Sequence, residues 1–246
     1  MLVLLPPSET KAAGGAGAPL DLDALSWPEL TPARRQAANA LVTLASDVSA
    51  SLAALGLSER QEAEVERNAV LWSSPTLPAL RRYTGVLYDA LDVASMSRAE
   101  LARAEQRLAV ASALFGLVRG ADPIPAYRLS AGSALPEVGP LRDLWRPALE
   151  PILSTVDDLI LDLRSGAYAG LAPARGAVTV RVVTEDATGR RKTVSHHNKA
   201  YKGRLARVLA TTRAEVHTAR DACRVARRGG LSLEQTGDLG LDLVVS

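Results

Sequence analysis

Cysteine occurs once in the 246 residues, at Cys223. One thiol cannot build an internal disulfide framework, and it leaves a thiolate-rich zinc site without ligands. A reducing, cytoplasmic setting is therefore expected. Histidine is scarce too, with three residues and no H-E-x-x-H pair, so no metal centre is expected. Aromatic residues make up 4% of the chain, too few for a surface that holds nucleic acid by stacking its bases. No apolar run approaches the ~20 residues that span a bilayer, so no membrane partner is expected. The opening Met1-Leu2-Val3-Leu4-Leu5-Pro6-Pro7 is too short, and lacks the basic start, for a signal peptide. The phosphate loops G-x-x-x-x-G-K-[ST] and G-x-G-x-x-G after a strand are missing, as is the G-x-S-x-G elbow, and no cofactor is expected.

What is present in quantity is apolar residue (47%) and charge (23%), enough for one large core. The net charge of +2 conceals a segregation. From Arg175 to Arg228 there are 14 Lys and Arg against 4 Asp and Glu, a net of +10. The remainder carries 15 against 23, a net of −8. Such a chain can present a basic face on an acidic body, and basic faces attract phosphates; the plainer reading is an arginine-rich solvated helix surface.

The pattern predicts an α+β protein, one domain over residues 1–246, with a mixed β-sheet and surrounding helices. Leu2–Leu5 reads as a buried strand stopped by Pro6-Pro7. Residues 12–19 read as a mobile glycine-rich loop. Thr31 and Pro32 open a helix that keeps its spacing to about Leu55, with Gly56 after it. Ser97 and Glu100 form a capping box for a helix from Leu101 to Val110. Leu141 to Leu153 reads as a helix broken or kinked at Pro147 and Pro151. Residues 158–163 form an apolar run typical of a buried strand. Residues 177–183 and 192–195 flank a turn at 186–189 as a hairpin. A helix follows from Asn198 to about Leu209, and the chain closes on a strand at 241–245.

The densest chemistry lies in Ser195-His196-His197-Asn198-Lys199-Ala200-Tyr201-Lys202-Gly203-Arg204. At most one of the two adjacent imidazoles can serve a given site as base or ligand, and a strand-end pair with one ring in water is the plainer explanation. Lys199, Lys202 and Arg204 fall in the first turns of a helix, where the dipole prefers anions. A phosphate there would offset them, and so would plain solvation. Arg82, Tyr83 and Tyr88 surround Gly85, a place where backbone can approach a ligand. Phe115-Gly116, Arg119-Gly120 and Asp122-Pro123 read as a glycine hairpin between helices able to hold a DNA phosphate. Arg128, after the rigid Pro125, suits a phosphate or a carboxylate.

Five blocks together resemble the YaaA peroxide-stress family. They are Leu4 to Lys11; Arg82 to Tyr88; Ser112 to Arg119, continuing through Asp122 to Leu129; Leu163 to Tyr168; and Asn198 to Arg204. The resemblance covers nearly the whole chain. It implies the family's α+β fold with a helix-hairpin-helix element and a positively charged cleft. It implies binding of duplex or branched DNA, and a cytoplasmic role in limiting peroxide and iron-dependent damage. The hairpin would fall at Ser112 to Asp122, where the Pro expected after Arg119 is absent.

The leading expectation is a DNA-binding stress protein. Ser8, Lys11, Arg82, Gly85, Arg119, Arg128, Lys199, Lys202 and Arg204 would line one basic cleft. The alternative is an enzyme acting there on a small phosphorylated, nucleotide-like or carboxylate molecule, with Lys11, Tyr83, Tyr127, His197 and Lys202 as acid–base candidates. A third is a regulator whose basic face meets an acidic protein.

Overall fold

Leu2, Val3, Leu4 and Leu5 are all buried, and this four-residue strand occupies the middle of the molecule. It pairs in parallel with Leu108–Ser112 on one side and with Ile160–Asp162 on the other. A strand covered on both edges and both faces has no use for alternating polar residues, which explains its unbroken apolar run. The structure is a computed structural model that describes residues 1–194 and 198–245. The His196-His197 pair, and with it the His197 candidate, lies outside the described residues.

The main sheet runs, in space, Ser232–Gly237, Gly240–Val245, Val178–Glu185, Ile160–Asp162, Leu2–Leu5, Leu108–Ser112 and Gly116–Arg119. Arg191–Thr193 adds to Val178–Glu185. The central five strands are parallel; the other three are antiparallel additions. The fold is thus α+β with a mixed sheet, and one hydrophobic core runs from Leu2 to Leu243. From the central strand the chain first builds one side of the sheet, then crosses to build the other. In a parallel sheet this reversal opens a crevice at the carboxyl ends of the strands.

Several expectations change here. Ser112 to Asp122 is a β-hairpin, with Leu108–Ser112 and Gly116–Arg119 paired antiparallel, and not a helix-hairpin-helix. Gly116 sits at φ +71°, and a Cβ there would lie 2.6 Å from the Trp145 ring. The glycine allows the turn and the close indole, rather than exposing amides to a phosphate. Arg34 braces the hairpin by donating to the carbonyls of Phe115 and Leu117. The helix expected to reach Val110 ends at Arg107, because Leu108–Ser112 is drawn into the sheet. Thr31 lies inside its helix instead of capping it, and the run to Leu55 is two helices, the second capped by Asp47. Leu141–Ser154 is continuous despite Pro147 and Pro151. The prolines are four residues apart on the exposed side, where carbonyls that lose a donor face water; Trp145 and Leu149 anchor the other side.

Candidate functional site

Past Leu5 the chain cannot continue the sheet, because Pro6-Pro7 lacks amide donors. It turns over the strand ends, and residues 8–12 run back against residues 82–84. Thr84 N–H donates to Thr10 O at 3.3 Å, and Ala12 N–H to Arg82 O at 2.9 Å. Ser8 Oγ accepts from Thr84 N–H at 3.2 Å, and Thr84 Oγ1 donates to Thr10 Oγ1 at 3.0 Å. Gly85 follows at φ 91°, ψ −179°, a conformation only glycine adopts easily, and starts the short helix Val86–Leu91. Tyr88 Oη closes the corner on Pro6 O at 2.9 Å.

Lys11 folds back beneath this loop. Its Nζ donates to Ser8 O at 3.1 Å and lies 3.5 Å from Glu9 O. It sits 4.2 Å from the centre of the Tyr127 ring and 5.5 Å from that of Tyr83. The residue keeps some contact with water, but its ammonium is walled in by surrounding atoms. That burial pushes its pKa down to about 7; Glu9 opposes the shift and Arg128 adds to it. The Tyr83 and Tyr127 hydroxyls are 2.8 Å apart, and Tyr127 meets Ser112 Oγ at 2.7 Å. Burial pushes the Tyr83 hydroxyl up to about 12 and holds that of Tyr127 well above its ordinary value, so both stay protonated. Ser112, the last residue of its strand, also accepts the N–H groups of Leu114 and Phe115.

Around this cluster Glu9 pairs with Arg128 at 2.7 Å and accepts from Ser130. Asn68 clamps the Arg128 backbone from both sides, at 2.8 and 2.9 Å. At the next strand end, Leu163 O accepts at 3.0 Å from Lys202, which comes from the helix Asn198–Thr211, and burial lowers the pKa of that lysine. Arg164 there is held by Asp162 at 2.7 Å. On the far side of the loop a recess of about 150 Å³ is lined by Ser8, Glu9, Thr10, Gly85 and Lys199.

The structure therefore brings Ser8, Lys11, Tyr83, Gly85, Tyr127, Arg128, Lys199 and Lys202 to neighbouring positions at the strand ends. It does not make them one wall of free cations. Arg82 is fully buried, and its guanidinium donates to the carbonyls of Ile124, Ala12, Gly14 and Pro75. This loop, expected to be mobile, is tied down by that arginine. Arg119 lies elsewhere, bonded to Gln106 O and stacked 4.7 Å over Trp27, because its strand is at the sheet edge. Lys199 and Arg204 are exposed, Arg204 lying over Tyr201 at 5.6 Å. Sequence reading missed Glu9, Asn68 and Ser112, whose roles depend on partners far along the chain. It also missed the helix Ala219–Arg228, capped by Thr218 and Asp221, which exposes Arg220, Arg224, Arg227 and Arg228. No described helix is long and apolar enough to cross a membrane.

Fold and site together define an α+β protein with a polar, lysine-bearing crevice at the switch point of a largely parallel sheet. A family model described as "Peroxide stress protein YaaA" matches residues 1–234, and the chain belongs to that family. The chain is 50% identical over 238 residues to UPF0246 protein CE1889 of Corynebacterium efficiens, covering 95% of each. It is 48% identical over 217 residues to UPF0246 protein SCO2297 of Streptomyces coelicolor, covering 86% of this chain and 84% of the relative. A protein of Cereibacter sphaeroides, UPF0246 protein Rsph17029_0026, is 30% identical over 264 residues, covering 98% and 96%.

Proposed function

We propose that this protein limits peroxide damage in the cytoplasm by binding duplex or branched DNA through its basic flank. The observation that carries the reading is the placement of cations on the helix Asn198–Thr211. Lys199 stands at the rim of the recess beside Ser8, Thr10 and Gly85, and Arg204 faces water. Both belong to the segment whose net charge is +10, and the exposed arginines of Ala219–Arg228 extend it. The recess is far too small for a duplex but accepts a single phosphate oxygen cluster at its mouth. Few aromatics are exposed, so contacts to the backbone would dominate over base stacking.

Lys11, Arg82 and Lys202 are occupied by carbonyls, Arg119 by Gln106 and Trp27, and Arg128 by Glu9. Of the seven cations expected to contact phosphate, Lys199 and Arg204 are left to do so directly. On B-DNA each phosphate contact contributes about 0.9 to the slope of log K against log salt. A Lys199→Gln/Arg204→Gln variant should therefore bind a labelled duplex with a slope shallower by about 1.8. Fluorescence anisotropy between 50 and 200 mM salt reads this directly. A folded double variant with the wild-type slope and affinity would remove these residues from the interface. A wild-type chain without salt-dependent duplex binding would remove the function itself.

A further inference from the structure

Ser232–Gly237 ends the main sheet on one side. Its inner edge pairs with Gly240–Val245, and among the described residues no strand pairs with its outer edge. In an antiparallel pair the backbone N–H and C=O of every second residue turn away from the partner. This edge therefore presents a row of donors and acceptors able to template a further strand. Apart from the pairing with Gly240–Val245, no backbone bond among the described residues takes the N–H or C=O groups of Ser232 to Thr236.

The helix Ala219–Arg228 leads into this strand through Gly229-Gly230-Leu231 and packs on one face of it, with Ala222, Val225, Ala226 and Leu233 buried. Between helix and strand lies a groove of about 340 Å³, lined by Arg220, Cys223, Arg224 and Arg227 on one side and by Leu233, Glu234 and Gln235 on the other. Its lining takes none of the described residues of Gly240–Val245, which puts it at the outer edge. Strand alternation turns Leu233 and Gln235 toward the helix and Glu234 toward the opposite face, where Arg191 holds its carboxylate. The helix wall is cationic. Arg224 pairs with Asp221, whereas among the described residues Arg220 and Arg227 make no ion pair, and both are exposed.

We propose that this groove docks an extended acidic segment of a partner protein, added as an outer strand to Ser232–Gly237 with its carboxylates on Arg220 and Arg227. This goes beyond the DNA reading, which Lys199 and Arg204 carry, and does not depend on it. Main-chain hydrogen bonds hold the segment, and the helix reads its alternate side chains. Side chains on one face of an added strand recur about every 6.7 Å. Arg220 and Arg227 stand about 10.5 Å apart along their helix, so carboxylates two to four residues apart reach both. A second copy of the chain is a poor occupant, because two such edges paired about a two-fold axis set their arginines against each other. A duplex is too wide to enter a groove of this size, and its phosphates offer the edge carbonyls no donors.

The test uses the full chain and a fluorescein-labelled peptide of alternating glutamate and valine, followed by anisotropy at low salt. Saturable binding is expected, weakened roughly three- to tenfold by Arg220→Gln/Arg227→Gln and largely kept by Arg220→Lys/Arg227→Lys. Two further peptides carry N-methyl groups on the odd or on the even amides. Strand addition turns only one of these sets toward the edge, so one peptide should lose binding and the other keep it. Bound peptide should also slow maleimide modification of Cys223, the chain's single cysteine, which lines the groove. Absence of saturable binding, or wild-type affinity in the folded Arg220→Gln/Arg227→Gln variant, overturns the proposal. Methylated peptides that both bind, or both fail, overturn the strand addition. A duplex that protects Cys223 and needs both arginines, where the peptide does neither, assigns the groove to nucleic acid and overturns the proposal.

Discussion

Replacing Arg82 by methionine keeps most of the side-chain length and removes the guanidinium. That guanidinium serves four carbonyls, of Ala12, Gly14, Pro75 and Ile124, and no carboxylate. Hydrogen bonds from a charged donor contribute roughly 1.5–3 kcal/mol each, but bonds that share one cation are not additive. The bond to Ile124 O is buried, whereas the other three are partly buried and can regain water. The expected loss is about 3–5 kcal/mol, against a total stability of about 5–15 kcal/mol for a typical domain. Urea denaturation followed by circular dichroism reads it. With an m value of about 3 kcal/mol/M the midpoint should fall by about 1–1.7 M. Arg82→Lys should recover little, because an ammonium cannot span four acceptors set around a planar fork. A surface arginine that contacts phosphate would behave oppositely, changing stability by less than about 1 kcal/mol while weakening DNA binding. That outcome would refute the structural role assigned to Arg82.

Gly203→Ala should destabilise by about 1–3 kcal/mol, since the added Cβ would lie 2.2 Å from Leu87 O. Thermal unfolding should show a fall of roughly 2–4 °C per kcal/mol. Lys11 predicts a pH dependence of stability. The unfolded chain keeps this proton up to about pH 10.5, while the folded chain loses it near pH 7. The folded state thus binds fewer protons between those values, and stability rises with pH across the interval. Measured by urea denaturation from pH 7 to 9, wild type should gain on Lys11→Met by up to about 1.4 kcal/mol per pH unit; parallel curves would contradict a depressed pKa.

The elements that could be read from the sequence are those whose signals are local. The strand at Leu2–Leu5, the hairpin from Val178 to Thr193, the capping box at Ser97 and the helix from Asn198 all lie where pattern and turn chemistry placed them. Leu108–Ser112 was misread because Leu-Ala-Val-Ala-Ser has weak strand preference, and burial between two strands decided it. Gly116 signalled a tight turn, but the residue it makes room for, Trp145, is 29 positions away, and spacing alone could not select a β-turn over an αα-turn. In the site, residue types pointed to Lys11, Tyr83, Tyr127 and Arg128. Charge alone could not separate Arg82, enclosed by carbonyls, from Lys199, open to water. A cation in a sequence carries no mark of burial, so the basic cleft was expected to be richer in free charge than the structure makes it.

The position of Leu2–Leu5 has a consequence for synthesis. Both of its partners come later, and Ile160–Asp162 last of all. At about 5–20 residues per second, the roughly 155 intervening residues take about 8–30 s to emerge from the ribosome. Throughout that time four apolar residues have no second edge to pair with, and the sheet cannot close around them. The chain thus faces a late, long-range closure step, slow for the same reason that high contact order is slow. Nascent chains halted before residue 160 should hold this strand exposed and be bound by chaperones, whereas chains released beyond it should be able to bury it.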